Sequence, residues 1–228
     1  MSLPLPLVVA TGNADKVSEI IEILVARTDE PLAAWALDVG DETYGYLVDT
    51  PGTLADAVAA HGSLSSAPDV EETGTTLEAN ARIKATALCE ATGLLAIADD
   101  TGLEVDALEG APGVHSARYA GPDASYDDNV RLLLAELEGV YPRLRTARFA
   151  TVALARWPGG EEIAVRGEVA GLIAAAPKGD HGFGYDPLFV PTEGDGRTFA
   201  EMAPPEKHAL SHRGRAFRAL AEELTETR

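Results

Sequence analysis

The sequence predicts an α/β protein with a mixed sheet, and three observations carry that reading. Short apolar runs at residues 7–11 and 94–98 alternate with stretches of helical periodicity in the first half of the chain. Two longer strand-like runs, 148–156 and 162–173, follow each other late, joined by Pro158-Gly159-Gly160 as a hairpin turn. Early alternation asks for parallel strands with crossover helices, and the late pair asks for antiparallel neighbours. No internal repeat or low-complexity linker interrupts the 228 residues, so they read as a single domain, with room for two lobes.

The elements follow in order. After the first strand, residues 12–15 make a turn and cap. Val17, Ile20, Ile21 and Leu24 then recur at helical spacing and predict a helix over 15–27. Between 28 and 70 the pattern is weaker, with a strand at 44–48 and a short helix at 54–61. Thr75 to Glu78 resembles a capping box, opening a helix that runs to Thr92 and ends at Gly93. The 94–98 strand stops at Asp99-Asp100-Thr101-Gly102, and 108–122 is a loop punctuated by glycine and proline. Residues 125–138 form a helix with Val130, Leu133, Leu134 and Leu137 on one face. A glycine-rich loop at 179–186 leads into a short strand at 187–190. After Pro204-Pro205 one last helix runs to the C-terminus, with Phe217, Leu220, Ala221 and Leu224 turned inward.

Charge and composition narrow the function. A net charge of −19 argues against nucleic acid or an anionic membrane as partner, because phosphate-rich surfaces are bound by Lys and Arg. No apolar run approaches membrane-spanning length, and the N-terminal residues lack the pattern of a signal peptide. One cysteine, Cys89, excludes an intramolecular disulfide framework and fits a reducing compartment, so a cytoplasmic protein is expected. Lysine is scarce: Lys16, Lys84, Lys178 and Lys207 stand against 37 acidic residues. Acid excess with so few ammonium groups points to a protein working in high salt, where screening removes self-repulsion. The scarce lysines also fall in or beside polar segments that look like sites, which points to an anionic small-molecule substrate.

Five segments could carry chemistry. Asp99 and Asp100 leave an apolar strand together, which suggests a metal site or a general base; Asp, Thr and Gly also favour a plain turn. Thr11, Gly12, Asn13 and Lys16 join a strand to a helix, where backbone N–H groups attract phosphate, although the segment is not a Walker A loop and a capped turn would look alike. Glu71 and Glu72 precede a helix and could favour its dipole or a cation, and Asn80 and Lys84 share one face of that helix. Phe183, Gly184, Tyr185 and Asp186 alternate ring and glycine, which serves base stacking or a tight turn. Lys207, His208, Ser211, His212 and Arg213 crowd the start of the last helix; without a glutamate after His208 the zinc pattern is absent, and donors to a base or phosphate are the better reading.

Taken together and in this order, the blocks Ala10-Thr11-Gly12-Asn13 with Lys16, Glu71-Glu72-Thr73-Gly74, Glu78-Asn80-Ala81 with Lys84, and Ala98 to Asp106 around Asp99-Asp100-Thr101-Gly102 resemble the inosine triphosphate pyrophosphatase family. Gly110-Ala111-Pro112-Gly113, Ser116-Ala117-Arg118-Tyr119, Gly182 to Pro187, and Lys207 with Ser211-His212-Arg213-Gly214 continue the match. The resemblance implies two lobes around a cleft, a homodimer, and Mg2+-dependent hydrolysis of ITP, dITP and XTP to monophosphate and pyrophosphate. By the same likeness Thr11, Asn13 and Lys16 would hold the triphosphate, and Glu71 and Asp100 the metal. Asp100 would also accept the proton, and Thr101 would contact substrate. The stretch from Phe183 to Asp186, with Lys207, His212 and Arg213, would form the base pocket. Surplus residues within 29–66 depart from the family spacing, which leaves either Glu71 or Glu72 as the ligand. A Maf-like nucleotide pyrophosphatase and a non-catalytic nucleotide-binding module are the alternatives.

The charge balance yields a first prediction. The Debye length falls from about 10 Å at 0.1 M to about 3 Å at 1 M salt. The melting temperature followed by circular dichroism should therefore rise steadily from dilute buffer to molar NaCl. A melting temperature independent of salt would remove the high-salt reading.

Overall fold

A computed structural model describes residues 7–10, 14–25, 33–39, 42–48 and 70–226. The expected short helix at 54–61 and the residues Thr11, Gly12 and Asn13 lie outside the described residues. Strands β1 (Leu7–Ala10), β2 (Ala33–Val39), β3 (Glu42–Val48), β4 (Leu95–Val105), β5 (Pro112–Gly113), β6 (Thr146–Arg156), β7 (Glu162–Ile173) and β8 (Phe189–Pro191) hydrogen-bond in the order β2-β3-β1-β4-β6-β7-β8, with β5 on β4. The sheet is mixed, as predicted. β1 runs parallel to β4 with Val8 opposite Ala96, whereas β1–β3, β2–β3 and β7–β8 are antiparallel. The helices are α1 (Ala14–Val25), α2 (Leu77–Thr92), α3 (Tyr126–Glu136), α4 (Pro204–Leu210) and α5 (His212–Glu226).

The chain divides into two compact units. The first comprises Met1–Asp100, Val152–Arg166 and Ala216–Arg228. Its core joins Val9, Leu95 and Ile97 to Ile20, Ile23 and Leu24 of α1 and to Phe217, Leu220, Ala221 and Leu224 of α5. These are the helical faces that the spacing identified, and each large side chain buried there stabilises the fold by roughly 1.5–3 kcal/mol. The second unit comprises Thr101–Thr151 and Gly167–Arg215. Its core collects Leu103, Val105, Val130, Leu133, Phe149, Val169, Phe189 and Phe199.

Several elements differ from the sequence expectation for physical reasons. β4 does not stop at Ala98 but continues to Val105, because Leu103 and Val105 resume the buried alternation and β5 pairs with Leu103 and Glu104. The ladder thus overrides the turn preference of Asp, Thr and Gly. The helix-opening hydroxyl is Thr76 rather than Thr75: Thr76 Oγ1 accepts the Ala79 N–H at 3.1 Å, while Glu78 pairs instead with Arg82 at 2.6 Å. Gly93 closes that helix as expected, at φ 67°, donating its N–H to the Cys89 carbonyl. Ser125 caps α3 in a capping box with Asp128. The single last helix is two helices. Ser211 is extended, with ψ 154°, and its Oγ accepts the Gly214 N–H at 3.0 Å, so a serine cap starts α5 where continuous helix was expected.

The cap assignment is testable. Thr76→Ala should lower the unfolding free energy by about 1 kcal/mol. Thr75→Ala, beside it and equally exposed, should stay within about 0.5 kcal/mol of the parent. Urea unfolding of the two variants measures both, and equal losses would overturn the assignment.

Candidate active site

The residues singled out in the sequence gather into a polar group in each unit, and the chemistry of the two differs. In the first unit, Asp99 and Asp100 are buried at 0% and 6% exposure in the middle of β4. Adjacent residues of a strand project to opposite faces. Their partners follow that rule. Asp99 meets Lys16 of α1 at 3.6 Å. Asp100 meets α2, accepting from Lys84 Nζ at 3.2 Å on Oδ1 and from Asn80 Nδ2 at 3.2 Å on Oδ2. Asp100 is thus hydrogen-bonded from α2 and Asp99 pairs with Lys16 of α1, while each lysine also acts electrostatically on the other carboxylate.

The α2 side is built in layers. Asn80 is fully buried, and its Oδ1 accepts the Gly74 N–H at 2.8 Å. That bond fixes which end of the amide faces Asp100, since only the nitrogen end can donate to a carboxylate. Gly74 has no side chain for a reason: a Cβ there would lie 2.5 Å from Asn80 Oδ1. Lys84 Nζ lies 2.8 Å from Glu72 and so ties that carboxylate to Asp100. Glu71 is exposed. Between the two glutamates the sequence left open, Glu72 is the one that joins this group.

The electrostatics follow from burial. Desolvation pushes the Asp100 carboxyl above its ordinary range; Glu72 adds to the rise, and Lys84 and Lys16 oppose it. Burial pulls Lys84 down, but Asp100, Asp99 and Glu72 outweigh it and hold the ammonium above its usual value. At neutral pH the group holds an ionised lysine against an Asp100 carboxylate that is costly to keep charged. Among the described residues no group of three or more His, Cys, Asp or Glu side chains stands ready to hold a metal ion. The hard oxygens of Asp100 and Glu72 nevertheless suit Mg2+, which binds through one or two carboxylates and substrate phosphates rather than in an all-protein cage.

In the second unit the loop from Gly182 to Pro187 turns around Asp186. Its Oδ2 accepts the Phe183 N–H at 2.9 Å and Lys207 Nζ at 2.8 Å, with both charged residues at 5% exposure or less. Gly182, at φ 72°, is required because a Cβ there would sit 2.2 Å from that same oxygen. Gly184 also takes a positive φ, 62°. The sequence left the two aromatics undecided between stacking and packing, and they divide. Tyr185 is buried and donates to the Ser116 carbonyl at 3.0 Å, with burial raising its phenol. Phe183 is half-buried, with Lys207 Nζ 5.1 Å and the Arg213 guanidinium 5.5 Å from its ring centre. Such cation–ring contacts hold the ring in place.

The start of α5 completes this group. Arg213 is 1% exposed and donates from Nη2 to Thr101 Oγ1 at 3.2 Å, and Thr101 in turn contacts Thr151 Oγ1 at 2.7 Å. His212 stacks on Phe149, ring centres 4.5 Å apart and 14° between planes. That ring contact is packing, and with the helix broken at Ser211, His208 and His212 do not share one continuous helical face. Thr151 escaped the sequence reading. Its signal was a hydroxyl inside the otherwise apolar buried run from Phe149 to Ala155.

The fold and its two polar groups define an α/β protein that sets lysines and a buried carboxylate in one unit, and a ring flanked by cations in the other. The chain belongs to the Ham1 family, whose profile it matches over residues 7–223. This agrees with the family resemblance drawn from the sequence blocks. The chain is 42% identical over 226 residues to the dITP/XTP pyrophosphatase of Lactiplantibacillus plantarum, covering 99% of this chain and 98% of that one. It is 48% identical over 181 residues to the dITP/XTP pyrophosphatase of Streptomyces coelicolor, covering 77% of this chain and 90% of that one. Among solved structures, a HAM1 protein from Coxiella burnetii superposes with a TM-score of 0.74 at 35% identity, covering 96% of this chain and 98% of that one.

The buried pair Lys207–Asp186 gives a prediction about stability. Lys207→Met leaves a carboxylate buried beside an apolar chain and should lower stability by about 3 kcal/mol. The double variant Lys207→Met with Asp186→Asn removes both charges and should recover more than half of that loss. Urea denaturation measures it, and equal stability of the single and double variants would refute the pairing.

Proposed function

We propose that this chain is a nucleoside triphosphate pyrophosphatase that hydrolyses ITP, dITP and XTP to the monophosphate and pyrophosphate, with Mg2+, and so cleans the purine nucleotide pool. The observation that carries it is the Asp100 carboxylate, buried and bracketed by Lys84 and Asn80. Membership of the Ham1 family and relatives named dITP/XTP pyrophosphatase support the same reading.

Water attacks a phosphorus already crowded with negative oxygens. Such a reaction asks for charge neutralisation and positioning more than for covalent help. Lys16 and Lys84 supply fixed positive charge in the first unit, and Thr11, Gly12 and Asn13 fall to the same phosphate-holding role. Asp100 with Glu72 would hold Mg2+, which when bound neutralises phosphate charge and polarises the reacting phosphate. Asp100 is also the group to orient water and accept its proton, because desolvation makes its carboxylate a stronger base than an exposed one. In the second unit Phe183 offers a ring face to the base. Arg213 carries donors and no acceptor, which favours a purine with a 6-oxo group over adenine. Thr101, Gly184, Tyr185, Asp186, Lys207 and His212 shape that group. The working protein is a cytoplasmic homodimer in this reading.

The test is pyrophosphate release from ITP, XTP, ATP and GTP, with and without Mg2+. ITP and XTP should be hydrolysed much faster than ATP, and only with the metal; binding of ITP with no turnover would indicate a non-catalytic module. Asp100→Asn should lower kcat by at least about 100-fold. The raised carboxyl binds its proton more tightly in the folded state, so ionising it costs stability as pH climbs from the unfolded value to the folded one. The amide removes that cost but accepts through one end only, leaving Lys84 or Asn80 facing an NH2, so circular dichroism at pH 7 checks that Asp100→Asn is folded. A variant that retains the parent's kcat would take Asp100 out of the mechanism.

A further inference from the structure

We propose that Asn129 is a positioning residue for the Phe183 ring, acting through the loop from Ser116 to Ala120; this rests on the nucleotide reading above. Asn129 lies on α3 at 2% exposure. Its Oδ1 accepts the Ala120 N–H at 2.8 Å, and its Nδ2 donates to the Ala117 carbonyl at 3.0 Å. A carbonyl and the N–H three residues on are the pair that closes a turn. Here one side-chain amide serves both groups, which needs an acceptor and a donor side by side; an ionised aspartate of the same shape offers acceptors alone. The loop takes its shape from α3, whose own start is fixed by the capping box of Ser125 and Asp128.

The same loop holds the glycine-rich segment. The carbonyl preceding that of Ala117 belongs to Ser116, and it accepts the Tyr185 hydroxyl at 3.0 Å. Ser116 is itself fastened to β4: its Oγ accepts the Leu103 N–H at 2.9 Å and donates to the Gly113 carbonyl at 2.6 Å. Tyr185 stands two residues from Phe183, and the next residue, Asp186, accepts the Phe183 N–H, so the segment that Tyr185 anchors is the one that presents the ring. α3 also meets the ring directly. Tyr126, three residues before Asn129 and so on the same side of the helix, has its ring centre 6.0 Å from that of Phe183. One helix face thus sets Phe183 by two routes, ring against ring and amide through loop to Tyr185. A ring already held in place stacks on a base without first losing its own freedom. The effect of Asn129 on a nucleotide runs through Phe183.

The experiment compares Asn129→Ala and Asn129→Asp with the parent, alone and in a Phe183→Ala background. Alanine suits a helix and deletes both bonds. Aspartate keeps the shape and the bond from Ala120 and deletes only the donor to Ala117, so either variant serves where the other fails to fold. Asn129→Ala should raise KM for ITP about tenfold while kcat changes less than about twofold, the pattern of lost base stacking with the chemistry intact. Asn129→Asp should raise KM in the same direction. In the Phe183→Ala background, adding either substitution should change KM no further. An unchanged KM, a loss carried by kcat, or effects that add to that of Phe183→Ala would each overturn the proposal. Amide hydrogen exchange of the same proteins needs no nucleotide. In Asn129→Ala it should quicken at 182–187 as well as at 116–120. Quickening confined to 116–120 would overturn the linkage even if the parent hydrolysed ITP. A parent that turns over no ITP would instead remove the nucleotide reading, while quickening in both segments would still uphold the linkage.

Discussion

The carboxylate of Asp100 is the constraint around which the first unit is arranged. A charge at 6% exposure is tolerated only where its oxygens are engaged. One oxygen takes Lys84 and the other Asn80, and both lie on one face of α2, four residues apart. Asn80 can serve because Gly74 fixes its amide, and Gly74 can approach because it has no side chain. Lys84 can serve because Glu72 shares its charge. The segment before α2, the first turns of α2 and the middle of β4 are thus tied by a single buried charge. Removing a partner would leave the carboxylate exposed to the full cost of desolvation, which is why these residue types occur in this pattern.

The second unit solves a comparable problem with a different outcome. Asp186 is also buried, but lysine and backbone neutralise it, and the pair fixes the loop beneath Phe183. The charge that remains is cationic and directional. Arg213 and Lys207 both face the Phe183 ring, and Arg213 is anchored through Thr101. The break at Ser211 makes this possible. It caps α5 locally and sets His212 and Arg213 in the first turn of that helix, both buried, a position that a continuous helix would not give them.

Much of this was legible in the sequence, and the failures have identifiable causes. Helical periodicity found the faces of α1 and α5 that enter the core, because burial imposes it. The blocks around Asp100, Lys84, Phe183 and Arg213 marked segments that the structure builds into the two groups. The length of β4 is hidden from a local reading, because Asp, Thr and Gly favour a turn until Leu103 and Val105 resume the buried strand. Thr75 was preferred to Thr76 because the box pattern ignored Arg82, which claims Glu78. Thr151 stayed hidden because a single hydroxyl in an apolar strand acquires meaning only from the hydroxyl opposite it, fifty positions away.

The scarcity of lysine takes its meaning from the same geometry. Among the described residues, arginine makes many of the exposed ion pairs: Arg82 with Glu78 and Glu162, Arg148 with Glu104, Arg197 with Asp195 and Glu206, Arg215 with Glu193. Arginine's planar fork suits a carboxylate met at the surface. Three of the four lysines lie elsewhere, Lys16 on Asp99, Lys84 between Glu72 and Asp100, Lys207 on Asp186. A lysine is a compact charge with rotatable donors, able to lean from a carboxylate toward a phosphate without losing a fixed bidentate geometry. Lys84 and Lys207 sit against buried carboxylates, where a compact charge fits between side chains that leave no room for a planar fork.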